Sequence, residues 1–325
     1  MSVLSSLHLH FYPTALTTPS FHTHYARWSP LLLSACYLIA IRHTSPTLAT
    51  SLAPKLYESS RSHISSALLT APQPIEFFQA SLILCLWSTT VGQTPLSIDG
   101  WLLSGFALQH SESSPLFHPS TPARALNHRF LWNHLCLAHL HYCVGTSRKP
   151  MLQETQITRC KSTITTDQTT NYETRMIAEI DLYWTVSTQL LNNNRGKINI
   201  LESVTQLEEW KRQWRSVLDE PRSQFLQMGF HFSILLLLYN HTHSHSHSHS
   251  PSTPTLTHHA KSIIQTAITT EDARTRHLTD HIYHMITFAG IVICRILHTH
   301  HHHHHHQPEI PGPYETSELE ALIVR

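Results

Sequence analysis

An all-α fold is what this sequence predicts, on three observations. Apolar residues recur at helical spacing in segment after segment, and no run of six alternates with the period of two that marks a strand. Helical punctuation recurs along the chain, first at Ser29-Pro30, where an N-cap precedes proline at the first helical position. Glycine is scarce, 8 residues in 325, against roughly 7% in an average chain. Rossmann sheets, P-loop NTPases and kinase-like folds need glycine at tight turns and phosphate cradles, and no GxGxxG or GxxxxGK[ST] is present.

The first helix is expected over Leu31–Ile41, with Ser29 as N-cap, Pro30 at the first helical position, and Arg42 and His43 near its negative end. A second is expected from Pro54 to Thr70 and a third from Pro74 to about Thr89; Ser97-Ile-Asp-Gly-Trp101 opens a fourth. A Ser/Pro-rich loop, His110 to Pro122, leads into a long helix over Ala123–Val144. There Leu131, Leu135, Ala138 and Tyr142 share a face, and Gly145 reads as the residue just past the helix end. Tyr172–Leu191 repeats the pattern through Met176, Ile180 and Tyr183 or Trp184.

Leu201, Val204, Leu207, Trp210, Trp214 and Leu218 form one stripe on the next helix, opposite a face carrying Glu202, Glu208, Lys211, Arg212 and Arg215. That stripe is either core or a surface for a partner. Arg222–Tyr239, Thr257–Thr269 and Asp272–His298 complete a set of about ten helices.

These elements define one helical domain over residues 25–299, after a flexible N-terminus at 1–24. A His/Ser/Pro insert at 241–256 and a His tract with tail at 300–325 have little to bury and are expected to be disordered. Only 13% of the residues are charged and the net charge is +1, which disfavours direct binding to a phosphate backbone. Full protonation of the 31 histidines in acid would carry the charge to about +32. The six cysteines, at 36, 85, 136, 143, 160 and 294, contain no CxxC pair and read as free thiols; residues 1–12 show no secretory signal, so a reducing compartment is expected. The apolar runs Leu31–Ile41, Phe77–Trp87, Phe230–Tyr239 and Ile286–Leu297 are each shorter than the roughly twenty residues of a membrane span, and read as core helices.

Ile98-Asp99-Gly-Trp101-Leu-Leu-Ser-Gly105-Phe-Ala107 resembles a signature of the fungal-specific transcription factor domain, the middle homology region of Zn2Cys6 regulators; Asp99, Trp101, Gly105 and Ala107 take its places. Asn127-His-Arg129-Phe-Leu-Trp132 resembles the family's following helix, carried by Arg129 and Trp132. Val144-Gly145-Thr-Ser-Arg148-Lys-Pro150 resembles its turn, through Gly145, Arg148 and Pro150, with looser spacing. Ser29–His43 and Arg274–His284 extend the resemblance to about residues 25–298, outside the His/Ser insert.

The resemblance implies a nuclear regulatory domain that controls transcription through protein partners, a homodimer or a small effector, touching DNA only indirectly. It also implies that zinc belongs to an N-terminal six-cysteine cluster that this sequence does not carry, leaving no cofactor in this chain. The residues themselves read as structural. Gly105 lies mid-helix, where glycine costs about 1 kcal/mol relative to alanine and suggests a close helix approach; Trp101 and Trp132 read as packing anchors, with Asp99 and Arg129 pairing or capping.

Two other functions compete. His277, His281 and His284, with Asp280, share a helical face that could hold zinc for a hydrolase, although the same face serves equally as a polar groove and no HExxH accompanies it. The two His tracts would suit a metal-buffering protein. No Ser/His/Asp or Cys/His order stands out, so an enzyme is not expected.

Overall fold

The computed structural model describes residues 29–41, 45–87, 90–91, 94–95, 98–117, 122–162, 170–193, 199–244, 253–270 and 278–304. Twelve helices and one two-residue antiparallel ladder lie among them, so the chain is all-α. They divide into two compact units: Met1–Cys143 with Pro150–Thr169, and Val144–Lys149 with Thr170–Arg325. The N-terminus at 1–24, the middle of the His/Ser insert and the tail beyond His304 lie outside the described residues.

In the first unit, α1 (Pro30–Ala40) starts where the Ser-Pro step places it, with the Leu32 N–H donating to Ser29 Oγ at 3.3 Å. α2 spans Pro46–Ala67 and corrects the expected start at Pro54. Ser45-Pro46 repeats the capping signal of Ser29-Pro30, and Pro54 sits inside the helix. An internal proline costs about 3 kcal/mol, but the buried face Ala49, Ala53, Ser60 and Ile64 continues past it and holds the helix against α1. Ser60 Oγ donates to Ser34 Oγ across that contact at 3.1 Å.

α3 (Ile75–Trp87) packs on α1 and is buried over most of its circumference, as its unbroken apolar run requires. The ladder follows, Thr90–Val91 pairing with Thr94–Pro95. α4 (Gly100–Glu112) packs on α3 and takes His110–Glu112 from the segment expected to be loop. α5 spans Pro122–Thr146 and α6 Glu154–Lys161; at the start of α6 the Gln153 N–H donates to Gln156 Oε1 at 2.8 Å.

In the second unit, α7 (Asn171–Asn193) buries Met176, Ile177, Ile180, Tyr183, Val186 and Leu190, the face expected for it. The apolar stripe after it is two helices, α8 (Ile200–Gln213) and α9 (Arg215–Leu218), because Trp214 leaves helical geometry at φ −98° and ψ 16°. α10 (Gln224–Ser244), α11 (Thr253–Thr269) and α12 (Asp280–His304) pack on one another, and α10 also packs on α7 and α8.

Three boundaries here differ from the expected coil. α10 runs on through His241 and His243, α11 begins at Thr253, and α12 continues through the first five residues of the His300–His306 tract. Histidine and serine are middling helix formers rather than breakers, so a helix already nucleated by a buried apolar segment extends through them at little cost.

Asp280–Thr299 is, by length and composition, long and apolar enough to cross a membrane, as the shorter run Ile286–Leu297 alone is not. Its residues Met285, Ala289, Val292, Ile293 and Leu297 are buried against the second unit. Of the six cysteines, Cys85, Cys136, Cys143 and Cys160 are buried, Cys36 is half-buried and Cys294 is exposed; none is in a disulfide.

Candidate functional sites in the two units

The motif residues of the first unit meet around His139. Asp99 caps α4, its carboxylate accepting from the Leu102 N–H at 3.1 Å. Trp101 stacks on the His139 ring, centroids 6.1 Å apart. His139 has no exposed surface, and both its ring nitrogens are engaged. Nε2 accepts the Met151 N–H at 3.0 Å, which places the proton on Nδ1, donating to Ser104 Oγ at 2.9 Å. Ser104 in turn donates to the Gly100 carbonyl at 2.6 Å. Burial lowers the His139 pKa from 6.5 to about 4, with a backbone hydrogen bond to Trp101 acting the other way, so the ring is neutral near pH 7.

At Gly105 the close neighbour is the Met151 side chain, from the segment between α5 and α6, rather than a helix. A Cβ there would stand 2.3 Å from Met151 Sδ. Ala107 is fully buried in the same helix. Trp132 is 1% exposed, donates from Nε1 to Ser111 Oγ at 3.1 Å, and carries the Arg159 guanidinium 4.6 Å over its ring. Arg129 is half-buried.

The turn motif is corrected. α5 does not stop before Gly145 but runs to Thr146, and the left-handed residue is Ser147, at φ 54°. Gly145 serves packing instead: a Cβ would lie 3.3 Å from His284 Nε2. Arg148 is exposed and Pro150 buried.

The histidines expected on one helical face part company. His277 lies outside the described residues. His281 is buried, with Nε2 2.7 Å from Tyr183 Oη, while that hydroxyl also reaches Met285 Sδ at 3.6 Å. Gly229 lets the hydroxyl in, since a Cβ there would be 2.7 Å from it. His284 faces Gly145 and the edge of Phe232. No cluster of three metal-ligating side chains among the described residues holds both His281 and His284.

The Trp/Leu stripe of α8 and α9 is core rather than partner surface. Trp210 Nε1 donates to the Ala178 carbonyl at 3.0 Å, Trp214 Nε1 donates to Asp181 Oδ2 at 3.0 Å, and Leu207 is fully buried. Leu201 alone, at 72% exposure, stays out.

One constellation has no counterpart in the sequence reading. His231 on α10 meets His258 and His259 on α11, with ring centroids 5.1 to 5.9 Å apart. His231 Nδ1 and His259 Nδ1 share a hydrogen bond of 2.9 Å. Burial above all, then the neighbouring histidines and Lys211, lower the pKa values of His231 and His259 to about 4. The signal available in the sequence was faint: an adjacent His pair on one helix, and a single His inside an apolar run 27 residues earlier.

Residues 9–324 match the family model of the middle domain of prtT, the transcriptional activator of proteases. An uncharacterized transcriptional regulatory protein of Schizosaccharomyces pombe is 28% identical over 224 residues, covering 63% of this chain and 39% of the relative. The transcriptional activator of proteases prtT of Aspergillus clavatus is 26% identical over 274 residues, 82% of this chain and 43% of the relative. That of Aspergillus oryzae is 30% identical over 213 residues, 63% of this chain and 32% of the relative. The chain thus spans about two fifths of the length of the first two relatives. No solved structure matches.

Proposed function

The chain belongs to the prtT-like middle-domain family of fungal transcriptional activators, and from that premise we propose that it acts in the nucleus as the regulatory domain of a transcription factor. The match of nearly the whole chain to one middle-domain family carries this reading. The packing supports it: Trp132, Gly105, Ala107 and His139 are spent on holding helices together and present no reacting atom to a substrate. We read the domain as non-catalytic, and α12 as a core helix rather than a membrane span. It works through protein partners, a second copy of itself or a small effector, with DNA contacted by another module.

The direct test tethers the chain to a heterologous DNA-binding domain in a fungal host and measures a reporter, with its location followed by a fluorescent fusion. A change in reporter transcription and nuclear accumulation are expected. A silent reporter together with exclusion from the nucleus would overturn the reading. Because several relatives are named for activating proteases, transcripts of secreted proteases are the first to follow when the gene is deleted.

A further inference from the structure

We propose that His231, His258 and His259 form a binding site for a borderline divalent transition metal, Zn2+ being the representative, that clamps α10 to α11. One ligand nitrogen from each ring lies within 4.8 Å of the others. Zinc–imidazole bonds of about 2.0 to 2.1 Å at tetrahedral angles set nitrogens about 3.4 Å apart, so small side-chain rotations close the shell. The scaffold is already placed: α10 and α11 pack directly on each other, and the His231–His259 hydrogen bond holds two of the three rings in mutual reach.

The donor set selects the ion. Three imidazoles and no carboxylate suit zinc, nickel or copper and give nothing to calcium or magnesium, which require oxygen ligands. His259 is buried, His231 half-buried and His258 exposed, so the ion enters from the solvent side and keeps a water at its fourth position. Lys211 stands nearby with Nζ 4.8 Å over the Phe230 ring, but it is exposed and its charge is screened by water. This site departs from the expectation of no cofactor in the chain. Its three histidines are not among those of the His277–His284 face or of either tract.

The twelve tract histidines (241, 243, 245, 247, 249 and 300 to 306) would obscure any uptake, so the test uses the full chain with each of them changed to glutamine. Zn2+ is titrated into it by calorimetry near neutral pH, and Co2+ replaces it for the absorption spectrum. One equivalent per chain and a tetrahedral Co2+ spectrum are expected. His231→Gln and His258→Gln in that background should each weaken uptake by roughly tenfold or more. His258 is exposed, so its variant keeps the fold, which circular dichroism verifies. Absence of stoichiometric uptake in the tract-substituted chain, or uptake left unchanged by either variant, would overturn the site.

Discussion

His139 and His231 both have their pKa lowered to about 4, His139 by full burial and His231 by partial burial with His258 and Lys211 beside it, yet the two units use them in opposite ways. In the first unit every polar atom of the ring is consumed, by Met151 on one side and Ser104 on the other. In the second, three rings share one hydrogen bond, and no other to any of them is present among the described residues. A lowered pKa alone therefore does not distinguish a histidine that builds from one that can bind. What distinguishes them is whether the donors and acceptors around the ring are already closed.

Breaking the closed side has the largest expected effect. His139→Ala strands the Met151 N–H in the interior, at about 1 to 3 kcal/mol, and the cavity left by the ring adds to that, while Ser104 Oγ keeps its bond to the Gly100 carbonyl. A loss of about 3 kcal/mol or more is expected in urea unfolding. A comparable loss is expected from acid. The unfolded ring titrates near 6.5 and the folded one near 4, so the unfolded state binds the extra proton between those values. The stabilisation is whole above pH 6.5 and falls progressively as pH drops to about 4, by about 3 kcal/mol at about 1.4 kcal/mol per pH unit. Urea midpoints collected across that range should lose much of this slope in a His139→Gln variant.

Gly105→Ala comes next. Its Cβ would stand 2.3 Å from Met151 Sδ, the mobile end of a flexible side chain, and alanine's helix preference of about 1 kcal/mol offsets part of the overpacking, so a net loss of about 1 kcal/mol is expected. Met151→Ala in the same chain should recover part of it, seen as a double-variant loss smaller than the sum. At the small end, His258→Gln without metal should change stability by less than about 0.5 kcal/mol, as an exposed side chain does. A cost near that of His139→Ala would mean that the open cluster is structural after all.

Much of the architecture was legible in the sequence because helix punctuation is local. Ser29-Pro30 marks a helix start within two residues of chain, and its cap forms as read, while Asp99 caps the helix that Ser97–Trp101 is expected to open. α2 shows how that signal misleads: a proline marks a start only when a capping residue precedes it, as Ser45 does at Pro46 and Ala53 does not at Pro54. The motif residues were legible as structural, whereas the roles of Gly145 and Ser147 were not, because glycine's signal is the same for a left-handed turn and for a close approach. His139 and the His231 cluster depend on partners 12 to 35 residues away in sequence, and no local spacing reports such contacts.

The uneven burial of the cysteines has a practical consequence. Cys36, the least enclosed of the other five, has its thiol pushed up to about 12 by burial, and burial raises Cys85 and Cys136 as well. Cys294 is the most exposed of the six, on α12, and Cys36 is half-buried. A maleimide dye applied to the folded native chain will therefore react first at Cys294, well ahead of the half-buried Cys36 with its raised thiol.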